Sequence, residues 1–527
     1  MFTVFVTGFN MRFRVAKIIT LIVILLNLFV LYCIWSLFTK NIDDEQNAKI
    51  SKPVISVPPT QTVKKPLEHT VTVIIRKFES FENDITKTLG SILSIIPNIS
   101  VLIVSDTLPY PPMVLPNNTE KNVKILNLQF QLNHSYDERN PLYYVKTKYV
   151  IFIPDSSRIL SEKALYSMIY ELRRQSHNII AVPFSSSRTI DCLNVHLNVR
   201  EWIIQYEVAE SDLCDALRGK HVFLIETQTL KTLSDPLMLP FPDALYIQAA
   251  AKGIKVQLLR NIIFMEGDTL FKNQHAQWKL LQIERNQQQQ MFQKMGLKKV
   301  VRETGNVEWY GCNRDVPRCF GTVVNDMPQY LWEGKWTPPC CLAGLRRTAR
   351  HVFAQLDEAG ARYWLEGGSL LGAMRSADIL PWDYDVDIGI FRDDIERCPW
   401  LVRARSQPVI DNDGFVWELA SEGEFFRVQF SRINHLHIDI FPFYVRNGTM
   451  TKDTWFPTHK QDREFPKHFL QPMASIEFVG REVPAPNNIR DFLELKFGKG
   501  VIENPQYPDP KRLKFSAGDD VIVQTRN

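Results

Sequence analysis

The run from Arg362 to Ile390, RYWLEGGSLLGAMRSADILPWDYDVDIGI, holds the residue types best placed to do chemistry. Asp383, Asp385 and Asp387 alternate with Tyr384, Val386 and Ile388, and a period of two predicts that the three carboxylates share one face of a strand. Three like charges on one face repel, so the spacing points to a divalent cation held by oxygen ligands, Mg²⁺ or Mn²⁺. A fourth carboxylate, Asp439, lies in the apolar run His435-Leu436-His437-Ile438-Asp439-Ile440-Phe441 and is expected to join the cluster from a neighbouring strand. His435 and His437 share its face and read as hydrogen-bond partners of the cluster rather than metal ligands. Upstream, Tyr363-Trp364-Leu365 reads as a strand that turns at Gly367-Gly368-Ser369 into a helix over LLGAMR. Such a turn presents free backbone N–H groups that can hold a phosphate.

A Gly-Gly-Ser turn, an Asp-x-Asp strand and a later strand with one more Asp resemble the nucleotidyltransferase superfamily, in which metal ions neutralise phosphate oxygens and help activate the attacking hydroxyl. LEGGSLLGA and PWDYDVDIGI are similar to the LicD/fukutin family of phosphotransferases. GCNRDVPRCFGTVV, WTPPCCLAGLR, HLHIDIFPFY and VIENPQYP carry the resemblance across roughly residues 305 to 510. It implies a Golgi ribitol-5-phosphate transferase that takes CDP-ribitol, releases CMP and extends the phosphorylated O-mannosyl glycan of α-dystroglycan. Alternatives are a phosphocholine-type or other CDP-linked phosphotransferase, and a non-catalytic glycan-binding scaffold.

On that resemblance Asp383, Asp385 and Asp387 bridge the metal to the donor diphosphate, and Asp439 is the general base for the acceptor hydroxyl. Gly368 and Ser369 contact donor phosphate, Arg375 adds positive charge, and Trp382 and Tyr384 flank the aspartates as substrate-binding residues. Lys460 and Gln461, with Glu503, Asn504 and Pro505, match the family's donor-binding loops. The resemblance also implies a non-catalytic stem domain that supports homo-oligomers, and related glycan-pathway transferases as partners.

Four cysteines cluster at Cys312, Cys319, Cys340 and Cys341. Their spacing, C-x6-C-x20-CC, leaves open both two disulfides and a tetrahedral zinc. The family resemblance favours a zinc-binding loop over 312–341. Cys192 and Cys214 could form a separate disulfide, with Cys398 left as a free thiol.

The elements around these residues suggest an α/β protein of two domains, since 527 residues exceed what a single core usually fills. Residues 1–17 read as a cytosolic tail and 18–38, IITLIVILLNLFVLYCIWSLF, as a transmembrane helix free of charge. Arg12, Arg14 and Lys17 before it predict a type II anchor with a lumenal body. Four sequons, at Asn98, Asn117, Asn133 and Asn447, fit that compartment. Residues 39–67 form a Pro-containing stem. Over 68–290, strands VTVIIRKF, SVLIVSD, VKILNL and KYVIFIP alternate with helix ITKTLGSILSII, a pattern that resembles a GT-A glycosyltransferase. Where such an enzyme needs Asp-x-Asp, this chain has Asp155-Ser156-Ser157, so the domain is expected to be non-catalytic. A helical connector near 282–295 leads to an α+β nucleotidyltransferase-like catalytic domain over 291–527. With 62 basic and 58 acidic side chains the net charge is +4, which gives no footprint for nucleic acid.

Overall fold

The computed structural model describes residues 66–506, apart from 117, 118, 120, 175–177, 186–189, 319, 321, 322, 325, 326, 457, 458 and 460. The membrane span, most of the stem and the Asn117 sequon lie outside the described residues. Among the described residues no helix is long and apolar enough to cross a membrane. Asn98, Asn133 and Asn447 are exposed.

The first domain is built on a mixed sheet ordered Val123–Asn127, Ser100–Ser105, Val71–Ile75, Tyr149–Phe152, His221–Glu226, Ile179–Pro183, Val256–Leu258 and Leu213–Cys214. Its first four strands are parallel, and His221–Glu226 enters antiparallel between Tyr149–Phe152 and Ile179–Pro183. The central strands are apolar along their whole length because both faces are covered, and Val71–Ile75 is buried at every position. Helices Ile85–Ile95 and Lys163–Arg174 bury Ile85, Leu89, Ile92 and Leu165, Met168, Ile169, Leu172 on one side of it. Four strands and the helix predicted from periodicity thus form within two or three residues of their expected ends.

A second sheet runs in the order Ala216–Arg218, Asp191–Asn198, Ile203–Val208, Lys299–Val301, Val307–Trp309. The boundary expected at 290 moves accordingly. Helix Gln274–Lys294 returns the chain so that Lys299–Val301 pairs with Ile203–Val208 in parallel, and residues up to Trp309 complete the first domain. Composition changes at 295, but pairing of distant strands leaves no local signature. Cys192 and Cys214, which could form a disulfide on sequence grounds, are joined in one. At the far end of this sheet Trp202 docks on the second domain, its Nε1 donating to Trp336 O at 2.8 Å and its ring edge-on to Tyr330.

The second domain has a sheet ordered Tyr363–Leu365, Val386–Phe391, His437–Arg446, Phe426–Gln429, Val416–Leu419 and Val409–Ile410. Val386–Phe391 and His437–Arg446 are parallel neighbours at its centre, and the other pairs are antiparallel. Helix Pro339–Glu358 lies against the two strands Phe426–Gln429 and His437–Arg446. It comes close because residue 344 is glycine: a Cβ there would stand 3.0 Å from Leu436 Cδ1. On the aspartate strand Gly389 serves Trp364 in the same way, since a Cβ would meet that indole at 2.3 Å. Trp364 is fully buried, and Phe391, Phe443 and Phe465 ring it. This core is the rigid floor of the candidate site.

Candidate active site

The Gly-Gly-Ser turn forms as expected. Strand Tyr363–Leu365 ends at Glu366, and helix Gly367–Ser376 starts at once. Gly367 has φ +54°, a left-handed conformation that favours glycine at a strand-to-helix turn. Glu366 N donates to Asp387 O at 3.1 Å, and Asp387 N donates to Ser369 Oγ at 2.9 Å. Ser369, buried to 3% exposure, therefore fixes the aspartate strand with its oxygen. Gly368 makes room for a carboxylate: a Cβ there would lie 2.7 Å from Asp383 Oδ2.

The aspartates differ from the expected geometry in one respect. The strand begins at Val386, so only Asp387 stands on it, and Asp383 and Asp385 lie in the turn before it. The cause is Pro381-Trp382, which bends the chain so that Asp383 N donates back to Leu380 O at 2.9 Å. Thr337 braces the bend, donating through Oγ1 to Asp383 O at 2.7 Å and through N to Pro381 O at 2.9 Å. The three side chains still face one another. Burial, then the neighbouring Asp387 charge, push the Asp383 carboxyl up to about 7. Asp385 and Asp387 are raised well above the ordinary carboxylate range, first by burial, then Asp385 by the charges of Asp383 and Asp439 and Asp387 by those of Asp385 and Asp439. Acids so crowded favour proton sharing or a cation over full ionisation.

Asp439 sits in the expected place. It is in register with Asp387 on the parallel side and with Arg427 on the antiparallel side. Arg427 donates to both of its oxygens, Nε to Oδ1 at 2.8 Å and Nη2 to Oδ2 at 2.9 Å, and also reaches Glu422 at 3.1 Å. The two carboxylates raise the Arg427 guanidinium above its usual range despite burial. His437 Nε2 stands 3.9 Å from Asp439 Oδ2, and burial lowers its pKa. His435 bonds Gln429, so neither histidine is drawn into the aspartate cluster as a ligand.

The remaining expected residues fall in three places. Arg375 uses its guanidinium to hold backbone, with Nε donating to Ile502 O at 3.2 Å and Nη2 to Val501 O. It thereby brings the Glu503–Pro505 segment beside the Gly-Gly-Ser helix, where Glu503 pairs with Arg490 at 2.7 Å and Asn504 Nδ2 donates to Gly500 O at 3.0 Å. Trp382 and Tyr384 are half-buried against the core, Tyr384 edge-on to Phe320. Gln461 is half-buried in the segment that follows the hairpin of Thr449–Thr451, while Lys460 lies outside the described residues. Arg427, Lys452, Glu366 and Lys496 were not singled out from sequence, because each acquires its meaning only from strand or helix partners distant in the chain.

Cys312, Cys340 and Cys341 are buried, and their sulfurs lie within 4.8 Å of one another. Cys312 and Cys340 are joined in a disulfide, with Cys341 Sγ 3.6 Å from Cys312 Sγ. Cys340 and Cys341 occupy the first turn of helix Pro339–Glu358, and Cys319 lies outside the described residues. Cys398 is a free, buried thiol. In the first domain Asp155 accepts from Asp84 N at 3.0 Å and Ser156 N at 2.6 Å. Its acidic neighbour Asp84 is bonded to Arg158 at 2.5 Å. Both Asp155 oxygens are thus taken up by backbone donors, and Asp84 is taken up by Arg158.

A helix-opening Gly-Gly-Ser turn against three converging aspartates, one on the strand Val386–Phe391 and two just before it, with a carboxylate on the adjoining strand, defines a nucleotidyltransferase-type catalytic domain. The family described as "LicD/FKTN/FKRP, nucleotidyltransferase domain" matches residues 360–488, and "Fukutin-related protein stem domain" matches 57–303. The chain is 47% identical over 449 residues to the mouse "Ribitol 5-phosphate transferase FKRP" (Mus musculus), covering 85% of this chain and 90% of the relative. The human counterpart (Homo sapiens) is 46% identical over 447 residues, with the same coverage. This chain belongs to the fukutin-related protein family. Human "Ribitol-5-phosphate transferase FKTN" is 29% identical over 150 residues, 27% of this chain and 30% of that one. Among solved structures, a mannosyltransferase from Pyrobaculum calidifontis covers 49% of this chain and 72% of its own at 12% identity, with a TM-score of 0.27, too slight a likeness to build on.

Proposed function

We propose that this chain transfers ribitol 5-phosphate from CDP-ribitol to the phosphorylated O-mannosyl glycan of α-dystroglycan, releasing CMP. The observation that carries the reading is the convergence of Asp383, Asp385, Asp387 and Asp439 beside the Gly-Gly-Ser turn, in a chain so similar to ribitol 5-phosphate transferases over most of its length. The crowding of Asp383, Asp385 and Asp387 fits a hard divalent cation, Mg²⁺ or Mn²⁺, which would neutralise diphosphate charge there. The N–H groups at the start of helix Gly367–Ser376 receive donor phosphate. Asp439 accepts the proton of the attacking hydroxyl: Arg427 holds it oriented through two hydrogen bonds, and each of its oxygens keeps a second lone pair. Arg375 and the Glu503–Pro505 segment shape the donor side of the site, and Lys460 and Gln461 contribute to donor binding.

In the reduced chain, with no Cys312–Cys340 disulfide, the thiolates of Cys312, Cys340 and Cys341 would be close enough to hold one zinc, with Cys319 as the fourth ligand. The first domain acts as a GT-A-like, non-catalytic stem that supports oligomers. Residues 18–38 anchor the chain in the Golgi membrane with its body lumenal and glycosylated. CMP release from a panel of CDP-linked donors, each offered with a phosphorylated O-mannosyl acceptor, tests the reading. Turnover is expected with CDP-ribitol and a divalent cation. Turnover with CDP-choline but none with CDP-ribitol would replace the donor, and no turnover with any donor alongside glycan binding would replace the enzyme by a scaffold.

A further inference from the structure

Lysines are seldom fully buried, yet among the described residues of the second domain Lys452 and Lys496 are. Lys452 follows strand Thr449–Thr451 with its side chain 3% exposed. Its Nζ lies 3.8 Å from the centre of the Phe441 ring and 5.0 Å from that of Trp455, and 2.9 Å from Asp462 Oδ2. Lys496, in helix Ile489–Phe497, is 1% exposed at its side chain. Its Nζ pairs with Glu366 Oε1 at 2.5 Å and donates to Arg463 O at 3.0 Å.

These contacts meet on one short piece of chain. Asp462 and Arg463 are adjacent, so the side chain of one and the carbonyl of the other are each gripped by a buried ammonium. Behind Lys452 stands Phe441, the residue in register with Gly389 of the aspartate strand. Behind Lys496 stands Glu366, which also receives Trp364 Nε1 at 2.8 Å, donates its own N–H to Asp387 O and opens the Gly-Gly-Ser helix. Within the segment, Asp462 N donates to His459 O at 2.9 Å and His459 N to Phe456 O at 3.0 Å. Lys452 and His459 are near enough for their charge to act on Asp387.

We infer that Lys452 and Lys496 are positioning residues that clamp Gln461–Arg463 to the aspartate strand and the Gly-Gly-Ser turn, making that short stretch a fixed wall for the anionic, nucleotide-linked donor. Fixing a binding loop in advance removes its ordering cost from the binding step. A buried ammonium with one carboxylate partner also explains why the segment needs lysine here: removing either member of such a pair leaves the other charge uncompensated. The inference rests on the proposed donor chemistry, and its test separates the two.

Lys452→Met keeps the aliphatic stem in the aromatic cage and deletes the charge, Asp462→Asn deletes the partner, and Lys452→Arg keeps the charge. Each is made in the full chain and compared by backbone amide exchange over 456–463 and by donor KM and kcat. Lys452→Met and Asp462→Asn should each accelerate exchange in that segment, while the double variant is no worse than either alone. Donor KM should rise on the order of tenfold with kcat within about threefold, the pattern of lost binding rather than lost chemistry. Lys452→Arg should recover part of both. Should Lys452→Met fail to fold, Asp462→Asn carries the same prediction. Unchanged exchange overturns the clamp, and so does accelerated exchange with an unchanged donor KM. A fall in kcat at constant KM would assign Lys452 to the reacting atoms instead. If the wild-type chain turns over no CDP-linked donor, the functional reading fails, and exchange together with donor binding still decides the clamp.

Discussion

Replacing Arg427 by methionine should be strongly destabilising, because it strands a buried carboxylate. Arg427 is 13% exposed and Asp439 9% exposed at their side chains, and two hydrogen bonds of 2.8 and 2.9 Å join them. Arg427→Met leaves Asp439 buried, in register with Asp387 and without its counter-cation. Removing one partner of a buried pair costs about 3–5 kcal/mol, mostly the penalty of the stranded charge. Adding Asp439→Asn removes that charge, so the double variant should recover roughly 1–3 kcal/mol of the loss, within the range of coupling between contacting residues. Urea unfolding of the metal-free chain reads this as a lowered midpoint for Arg427→Met and a partly restored one for the pair. A loss below about 1 kcal/mol, or no recovery in the pair, would refute the claim that Arg427 compensates Asp439.

Gly368→Ala should act on chemistry more than on folding, because its Cβ would meet Asp383 Oδ2 at 2.7 Å and push aside one flexible carboxylate. A displacement of that kind costs roughly 100-fold in turnover, with a raised metal requirement, while the melting temperature changes little. The pH dependence of the metal-free chain follows from the raised Asp383, Asp385 and Asp387 carboxyls. A carboxyl raised in the folded state binds more protons there than when unfolded, so its contribution is fully present below the unfolded value and lost as pH rises through the folded one. For Asp383 that window runs from the ordinary aspartate value up to about 7, and Mg²⁺ should flatten the decline; thermal melts at pH 5 and pH 8, with and without Mg²⁺, check it. Cys340→Ser and Cys341→Ser should each lower zinc content by metal analysis, whereas full retention of zinc in both would remove those sulfurs from the ligand set.

Much of this was legible in the sequence for a physical reason. Strands buried on both faces announce themselves by near-continuous apolar composition, broken in Val71–Ile75 only by Thr72, and Gly367-Gly368-Ser369 announces a turn that needs a left-handed residue. The period of two across Asp383, Asp385 and Asp387 pointed to the right cluster through the wrong geometry. Pro381-Trp382 turns the chain before the strand starts, and convergence comes from the turn braced by Thr337. What composition could not display is pairing at a distance: Arg427 against Asp439, Lys452 against Asp462, Lys496 against Glu366, and Lys299–Val301 returning to the first domain. Arg375 illustrates the same limit, since its position near the turn was apparent but its hold on the carbonyls of 501 and 502 was not.

The central claim is that the aspartates beside the Gly-Gly-Ser turn carry out cation-dependent phosphoryl transfer. Its most direct test is CMP release from CDP-ribitol, with a phosphorylated O-mannosyl acceptor, by the wild-type chain and by Asp385→Asn, titrated with Mg²⁺. Wild-type turnover should appear only with the cation, and Asp385→Asn should stay folded yet show no turnover at any Mg²⁺ concentration. Turnover in Asp385→Asn equal to wild type, or wild-type turnover undiminished by chelation, would contradict the account.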